Sequence, residues 1–246
     1  MKVYKFGGAS IKDARGIRNL CDIVRQTEGD LMIVVSAIGK TTNALEQVVQ
    51  SHHQLVDDLG IESLYNQLYD TMVTTGEIVS SLVVSRFLKE QGVENTWLDA
   101  RTILATDNTY RHGVIDMAKT AANLKSVLSS NSRVYVIQGF IGYSEEGYPI
   151  SLGREGSDYS AAVFANLLDA DSLTVWKDVP GILTADPRRD PSATLIPELT
   201  YEEAARLAMS GAQILHPLTI APLAEKNIPL YVKPFLDPHA SGSVIK

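Results

Sequence analysis

The chain has 246 residues, with 29 acidic against 22 basic side chains and a formal charge of −7. At 45% hydrophobic and 21% charged, with 17 Gly and 10 Pro, it is neither disordered nor fibrous, and it can bury a sizeable core. The acidic balance speaks against a general nucleic-acid or anionic-membrane binder, and the single cysteine, Cys21, closes no intramolecular disulfide. The longest aliphatic run, residues 31–35, is far too short to span a bilayer, and no leader-type segment opens the chain; a cytoplasmic protein is expected.

In chain order, residues 2–6 read as a short strand ending at Gly7-Gly8. Over 13–28, Ile17, Leu20, Cys21 and Val24 fall on one helical stripe, and 31–35 is apolar at every position, as in a strand covered on both faces. That is a β-α-β unit with a right-handed crossover. From 42 to 89 the pattern is helical, with Leu45, Val48, Val49, Val56 and Leu59 as one apolar stripe and a break at Gly60. Leu64, Leu68, Met72, Val79, Leu82 and Val83 continue the stripe beyond that break. Short strands follow near 93–98 and 102–106, then a helix near 116–129 and a buried strand at 134–137 running into Gln138-Gly139-Phe140-Ile141-Gly142. After a Gly- and charge-rich loop come a helix near 158–169 and a strand at 172–177. Turns at 178–198, helices near 201–209 and 217–226, and a last strand at 229–232 complete the series. Strands alternating with helices predict a three-layer α/β/α sandwich with a mostly parallel central sheet and ligands at the carboxyl ends of its strands.

Four glycine-bearing loops each follow a predicted strand, where exposed backbone N–H groups can meet an anion. In Lys5-Phe6-Gly7-Gly8-Ala9-Ser10 a lysine stands at the strand end; a plain turn with a solvated lysine is the competing reading. Ser36-Ala37-Ile38-Gly39-Lys40-Thr41-Thr42 carries a Gly-Lys-Thr triplet, but Val34 stands where a P-loop needs its first glycine, which excludes that motif. Leu152-Gly153-Arg154-Glu155-Gly156-Ser157-Asp158 opens a helix, whose free amides and dipole favour a carboxylate or phosphate. Capping explains Ser157 or Asp158 but not an arginine between two glycines; Arg154 can hold a carboxylate through two parallel hydrogen bonds. The fourth loop, Lys177-Asp178-Val179-Pro180-Gly181, leads to Asp186-Pro187-Arg188 and reads as a turn or as a nucleotide neighbourhood. Glu77, on an apolar helix, is either solvated or reserved for an ammonium group. His52 and His53 read as surface or packing side chains, and His216 as a turn cap. No Cys/His cluster has metal spacing, so no metal site is expected.

Taken in order, these loops resemble the aspartate kinases of the amino-acid kinase superfamily. The resemblance includes the KFGG-type first loop, Ser36-Ala37 with Thr42-Asn43, Thr75-Gly76-Glu77, Gln138-Gly139-Phe140-Ile141-Gly142 and Leu152 to Asp158. It continues through Asp178-Val179-Pro180-Gly181, Thr184-Ala185-Asp186-Pro187-Arg188 and Gly211-Ala212 leading to Leu215-His216-Pro217. It implies an enzyme that transfers the γ-phosphoryl group of ATP, with Mg²⁺, to the side-chain carboxylate of L-aspartate, the entry step to lysine, threonine and methionine synthesis. Lys5 and Asp158 are the implied catalytic pair: Lys5 meets the phosphoryl charge, and Asp158 orients cationic groups and helps organise the Mg²⁺-bound site. The implied substrate set is Arg154 for the α-carboxylate, Glu77 for the ammonium, Ser36 and Thr42 for the attacking carboxylate, and Ser157 beside them. The implied nucleotide set is Lys5, Gly7, Gly8, Ser10, Lys177, Asp178, Leu183, Arg188, Gln213 and Ile214. Residues 1–170 would form the amino-acid lobe and 171–246 the nucleotide lobe, without ACT regulatory domains and hence without feedback control by lysine or threonine. A homodimer and a monomer are both open.

Ala9, Lys177, Gln213 and Glu155 depart from the family pattern, three of them on the nucleotide side. Two other readings remain: a kinase of another small carboxylic acid such as glutamate, and a catalytically silent ligand-binding subunit.

Overall fold

The computed structural model describes residues 1–128, 132–185, 190–209 and 215–246. Among them an eight-stranded sheet runs in the order β3 (Thr96–Trp97), β5 (Val134–Gln138), β2 (Leu31–Val35), β1 (Lys2–Phe6), β8 (Ser172–Lys177), β10 (Leu230–Pro234), β11 (Ser243–Ile245) and β9 (Glu198–Leu199). Every pairing in it is parallel except β10 with β11. All five residues of β2 and of β5 are buried, as central strands covered on both faces require.

Helices lie on both faces, giving the three layers expected. One face packs under α6 (Met117–Val127), α7 (Gly156–Leu167), α8 (Tyr201–Met209) and α9 (Pro217–Glu225), around Val3, Val163, Phe164, Leu173 and Leu223. The other packs under α1 (Ala14–Arg25) and α5 (Thr75–Glu90), around Phe6, Leu20, Ile33, Val84, Leu88 and Trp176. Asp13 caps α1 by accepting from the Gly16 N–H at 2.9 Å, and the His216 ring accepts from the Leu218 N–H at 3.3 Å, the capping role expected of it. Cys21 is a buried free thiol.

Strand alternation fixes which side chains meet the functional edge. In β1, Val3 and Lys5 share the α7 face while Phe6 lies on the α1 face; in β8, Leu173, Val175 and Lys177 share the α7 face while Trp176 lies opposite. The register Lys5↔Val175 and Phe6↔Trp176 then brings Lys177 to the carboxyl edge one step beyond Lys5.

Three features differ from the sequence reading. The stretch 42–89 is four helices: α2 (Thr41–Ser51), α3 (His53–Asp58), α4 (Ser63–Val73) and α5, with Gly60 at a left-handed break. Its apolar stripe is only partly inward. Val49 and Val56 are buried, but Val48, Leu59, Val79, Leu82 and Val83 are exposed, and α5 instead turns Glu77, Ser80, Ser81, Val84 and Leu88 inward. Ser80 back-bonds to the Gly76 carbonyl at 2.6 Å, Ser81 accepts from Trp97 Nε1 and Gln138 Nε2, and Ser85 donates to Asn95 Oδ1, so every buried serine of α5 is partnered and the helix can hide a polar face. Second, the loop after β5 contains a hairpin, β6 (Ile141–Ser144) and β7 (Pro149–Ser151), which with β4 (Ala105–Thr106) forms a separate three-stranded sheet. Third, β9 and β11 extend the main sheet beyond β10.

Phe164 is fully buried at the centre of α7, the helix that carries Asp158. Phe164→Ala is expected to cost about 3–5 kcal/mol, read as a fall in urea midpoint at unchanged m-value. A loss below ~1 kcal/mol would mean that this core is not tightly packed.

Candidate active site

The carboxyl ends of β1, β2 and β5 and the start of α7 enclose a cleft of about 880 Å³. Lys5, Gly8, Ser36, Thr42, Glu77, Arg154 and Ser157 all line it, so the predicted amino-acid set and the first glycine loop converge. Gly8 is required by close approach: a Cβ there would stand 2.3 Å from the Ala37 carbonyl oxygen. The Gly39 N–H donates to the Gly8 carbonyl at 3.0 Å, which locks the two loops together.

Asp158 sits in the first turn of α7 with no solvent exposure. Its Oδ1 lies 2.6 Å from Lys5 Nζ and its Oδ2 lies 3.2 Å from Lys177 Nζ. Burial works against its ionisation, but the two ammonium groups more than offset it and hold the carboxyl at about 2. Burial likewise opposes the Lys177 charge, and Asp158, followed by Glu155 and Asp178, overcomes that and raises its pKa. The capping alternative for Ser157 and Asp158 does not apply: α7 begins at Gly156, after Glu155 at φ 56°, and both residues lie inside its first turn.

Glu77 is the opposite case. It is 3% exposed, its Oε1 accepts from the Ala37 N–H at 3.2 Å, and its Oε2 is buried without a hydrogen-bond partner. Burial pushes its pKa up to about 7, against weaker opposing effects of the Ala37 N–H and the Lys5 charge.

The other described residues of the predicted nucleotide set do not line this cleft. The Ser10 hydroxyl is buried and donates to the Trp176 carbonyl at 3.3 Å. Gly7 lies beside the Lys5 ammonium, its Cβ position 3.6 Å from Nζ. Asp178 is exposed just past β8, and Leu183 is buried in a bridge with Leu195. Arg188, Gln213 and Ile214 lie outside the described residues.

The cleft also has a wall that the sequence reading missed, made by Glu46, Tyr69, Arg111, His112 and Ser151. Tyr69 donates its hydroxyl to Glu46, the Arg111 guanidinium lies 4.1 Å from the Tyr69 ring centroid, and buried Asp70 behind them accepts from Ser151 Oγ at 2.6 Å. A separate hollow of about 630 Å³ between β4, β6 and α6 contains Arg101 and Lys119, but both are already paired, with Asp99 and Glu145.

With this geometry in hand, comparison with known proteins is consistent across sequence and structure. The model of the Amino acid kinase family matches residues 1–234. The chain is 31% identical over 284 residues to lysine-sensitive aspartokinase 3 of Escherichia coli K12, covering 99% of this chain and 63% of that protein. It is 32% identical over 273 residues to the aspartokinase of Chlamydia pneumoniae, covering 98% and 62%. The crystal structure of E. coli aspartokinase III in complex with aspartate and ADP superposes with a TM-score of 0.88 at 30% identity, covering 100% of this chain and 64% of that one. The chain belongs to the amino acid kinase family. It spans about 62–63% of the length of these two curated relatives. Among the described residues no helix is long and apolar enough to cross a membrane.

The raised pKa of Glu77 has a definite stability sign. The folded state favours the neutral acid, so its contribution is full below about 4.5 and is lost as pH rises through about 7. Glu77→Gln is therefore expected to match wild type near pH 4 and to exceed it by about 3 kcal/mol at pH 8, in urea denaturation. A difference that does not change with pH would show that Glu77 is not held in a desolvated site.

Proposed function

We propose that the chain is an aspartate kinase catalytic domain, transferring the γ-phosphoryl group of Mg-ATP to the side-chain carboxylate of L-aspartate to give 4-phospho-L-aspartate. The observation that carries this is the convergence of Lys5, Ser36, Thr42, Glu77, Arg154 and Ser157 on one cleft, with Asp158 directly beneath Lys5. Similarity to aspartokinases over nearly the whole chain supports it.

Aspartate offers two carboxylates and one ammonium. Arg154 takes the α-carboxylate through its planar fork, and the vacant acceptor of Glu77 takes the ammonium, whose charge restores Glu77 to its ionised form. Ser36 and Thr42, with Ser157 beside them, position the side-chain carboxylate. That carboxylate is already ionised at neutral pH, so no general base is required. Its oxygen forms a new bond to the γ-phosphorus while the bond from that phosphorus to the bridging oxygen breaks; ADP leaves and no proton moves. Lys5 faces the charge that spreads over the transferred group, and Asp158 fixes the direction of its ammonium.

Mg²⁺ enters as part of the Mg-ATP substrate, where it neutralises phosphate charge. Among the described residues no group of three or more His, Cys, Asp or Glu is arranged to hold a metal ion, and both Asp158 oxygens face lysines. Asp158 thus serves as a lysine-orienting residue in this reading. Lys177, Asp178 and Leu183 follow the substrate cleft in sequence, in keeping with an amino-acid lobe over 1–170 and a nucleotide lobe over 171–246.

Incubation with Mg-ATP and hydroxylamine is expected to yield a hydroxamate from aspartate and none from glutamate. A product from glutamate alone would reassign the substrate, and no product from either acid with ATP still bound would favour a silent subunit. Lys5→Ala is expected to lower kcat by roughly 10²–10³, the scale for losing one preorganised charge donor. Lys177 remains beside Asp158 in that variant, so it is expected to fold with a lowered melting midpoint, and kcat is read below that midpoint; a wild-type kcat would remove Lys5 from the chemistry.

A further inference from the structure

The missed wall of the cleft contains a cation that the proposed reaction has not used. Arg111 lies in the turn between β4 and α6, which Asp107 closes by accepting from the Val114 N–H at 2.9 Å and the Thr109 N–H at 3.2 Å. At φ 69° Arg111 is in the left-handed region, uncommon for a residue with a long side chain. Its conformation is held from behind. The Arg111 N–H donates to Asp70 Oδ2 at 2.8 Å, while Asp70 Oδ1 accepts from Ser151 Oγ at 2.6 Å. The Gly113 N–H also donates to the Ser151 carbonyl at 3.0 Å. A fully buried carboxylate is thus used on the backbone of the turn and not on the guanidinium.

The guanidinium itself stacks on the Tyr69 ring at 4.1 Å. Stacking occupies one face of the group and the Tyr69 hydroxyl meets part of its N–H edge, which leaves the remaining N–H groups to pair with a carboxylate. Glu46, on the same wall, is engaged by the Tyr69 hydroxyl. Among the described residues the Arg111 guanidinium has no carboxylate partner, whereas Arg101 is paired with Asp99 at 2.7 Å. An arginine whose backbone and ring stack are fixed, and whose guanidinium makes no ion pair among the described residues, is preorganised for an anion.

Its place in the cleft says which anion. A Cβ built on Gly153 would stand 2.7 Å from His112 Nδ1 and 3.1 Å from the Arg111 carbonyl oxygen, so the Arg111 turn packs directly on the loop that carries Arg154. Both side chains line the same cavity. The substrate of the proposed reaction has two carboxylates and one ammonium, and Lys5 is committed to Asp158 and the phosphoryl group. We propose that Arg111 is a second substrate-binding guanidinium, sharing the α-carboxylate with Arg154 and setting the preference for an amino acid whose α-carboxylate is charged. This rests on the aspartate kinase reading. Contact with the non-reacting end of the substrate makes Arg111 a binding and selectivity residue, so its loss should appear in KM and leave the chemical step nearly intact.

The test compares wild type with Arg111→Asn and Arg111→Gly, two replacements that accept the left-handed backbone, and with Arg111→Lys. Each is assayed with aspartate and with the α-amide of aspartate, which keeps the reacting carboxylate and the ammonium but lacks the α-charge. In Asn and Gly the KM for aspartate is expected to rise 10- to 100-fold, with kcat within about threefold and the KM for ATP unchanged. The preference for aspartate over its α-amide is expected to fall at least tenfold, and Lys to recover part of it. An unchanged preference, or a matched fall in kcat for both substrates, would overturn the assignment, and either neutral variant suffices to decide. Wild type controls the underlying reading: if it forms no hydroxamate from aspartate, the substrate is wrong; if it does while Arg111→Asn keeps the wild-type KM and preference, only Arg111 is.

Discussion

The arrangement around Asp158 is the constraint from which the site follows. A carboxylate with no solvent exposure is costly to keep ionised, and here two ammonium groups, at 2.6 and 3.2 Å, hold it in that state. They come from adjacent parallel strands, and strand alternation turns both toward the helix that carries the acid. The Lys5 and Lys177 ammonium groups thereby stand at the carboxyl edge of the sheet, where the first glycine loop also presents its backbone. The same contact ties β1, β8 and α7 together, so the functional charge and the central packing depend on one another.

Glu77 provides the opposing pole. It lies in the same cleft as Lys5, but its second oxygen finds no hydrogen-bond partner and its pKa is pushed up to about 7. The cleft thus presents a cationic side toward Lys5 and Arg154 and a desolvated acid toward the start of α5. In the proposed reading, a zwitterionic amino acid with an extra carboxylate satisfies both at once.

The small sheet of β4, β6 and β7 gives the cleft its outer wall. Its hairpin delivers Ser151 and then the Arg154 loop, and its first strand leads into the Arg111 turn. Buried Asp70 bonds to both segments, which makes one helix residue the common anchor of two arginine-bearing loops. Burial pushes that carboxyl above its usual range in spite of the bonds it accepts from Ser151 and Arg111, so its hydrogen bonds are a structural requirement of the wall.

Local pattern was enough to determine the alternation of strands and helices, the buried central strands and the glycine loops, each written in the spacing of a few neighbouring residues. It marked Arg154, while Lys5, Glu77 and Asp158 were singled out only by the resemblance of the ordered loops. The inward face of α5 was misread, because exposed Val79, Leu82 and Val83 imitate a core stripe while the buried serines find partners within the helix and on Asn95, Trp97 and Gln138. The second sheet was not legible either: β4 has two residues and β7 three, too short to show a period. Only the tertiary structure decided that Lys177 pairs with Asp158, that Glu77 Oε2 is left without a hydrogen-bond partner, and that Asp70 draws Arg111 to the Arg154 loop. These relations span 19 to 81 positions along the chain, and distance in space between such residues is set by how the layers pack, which no local spacing encodes.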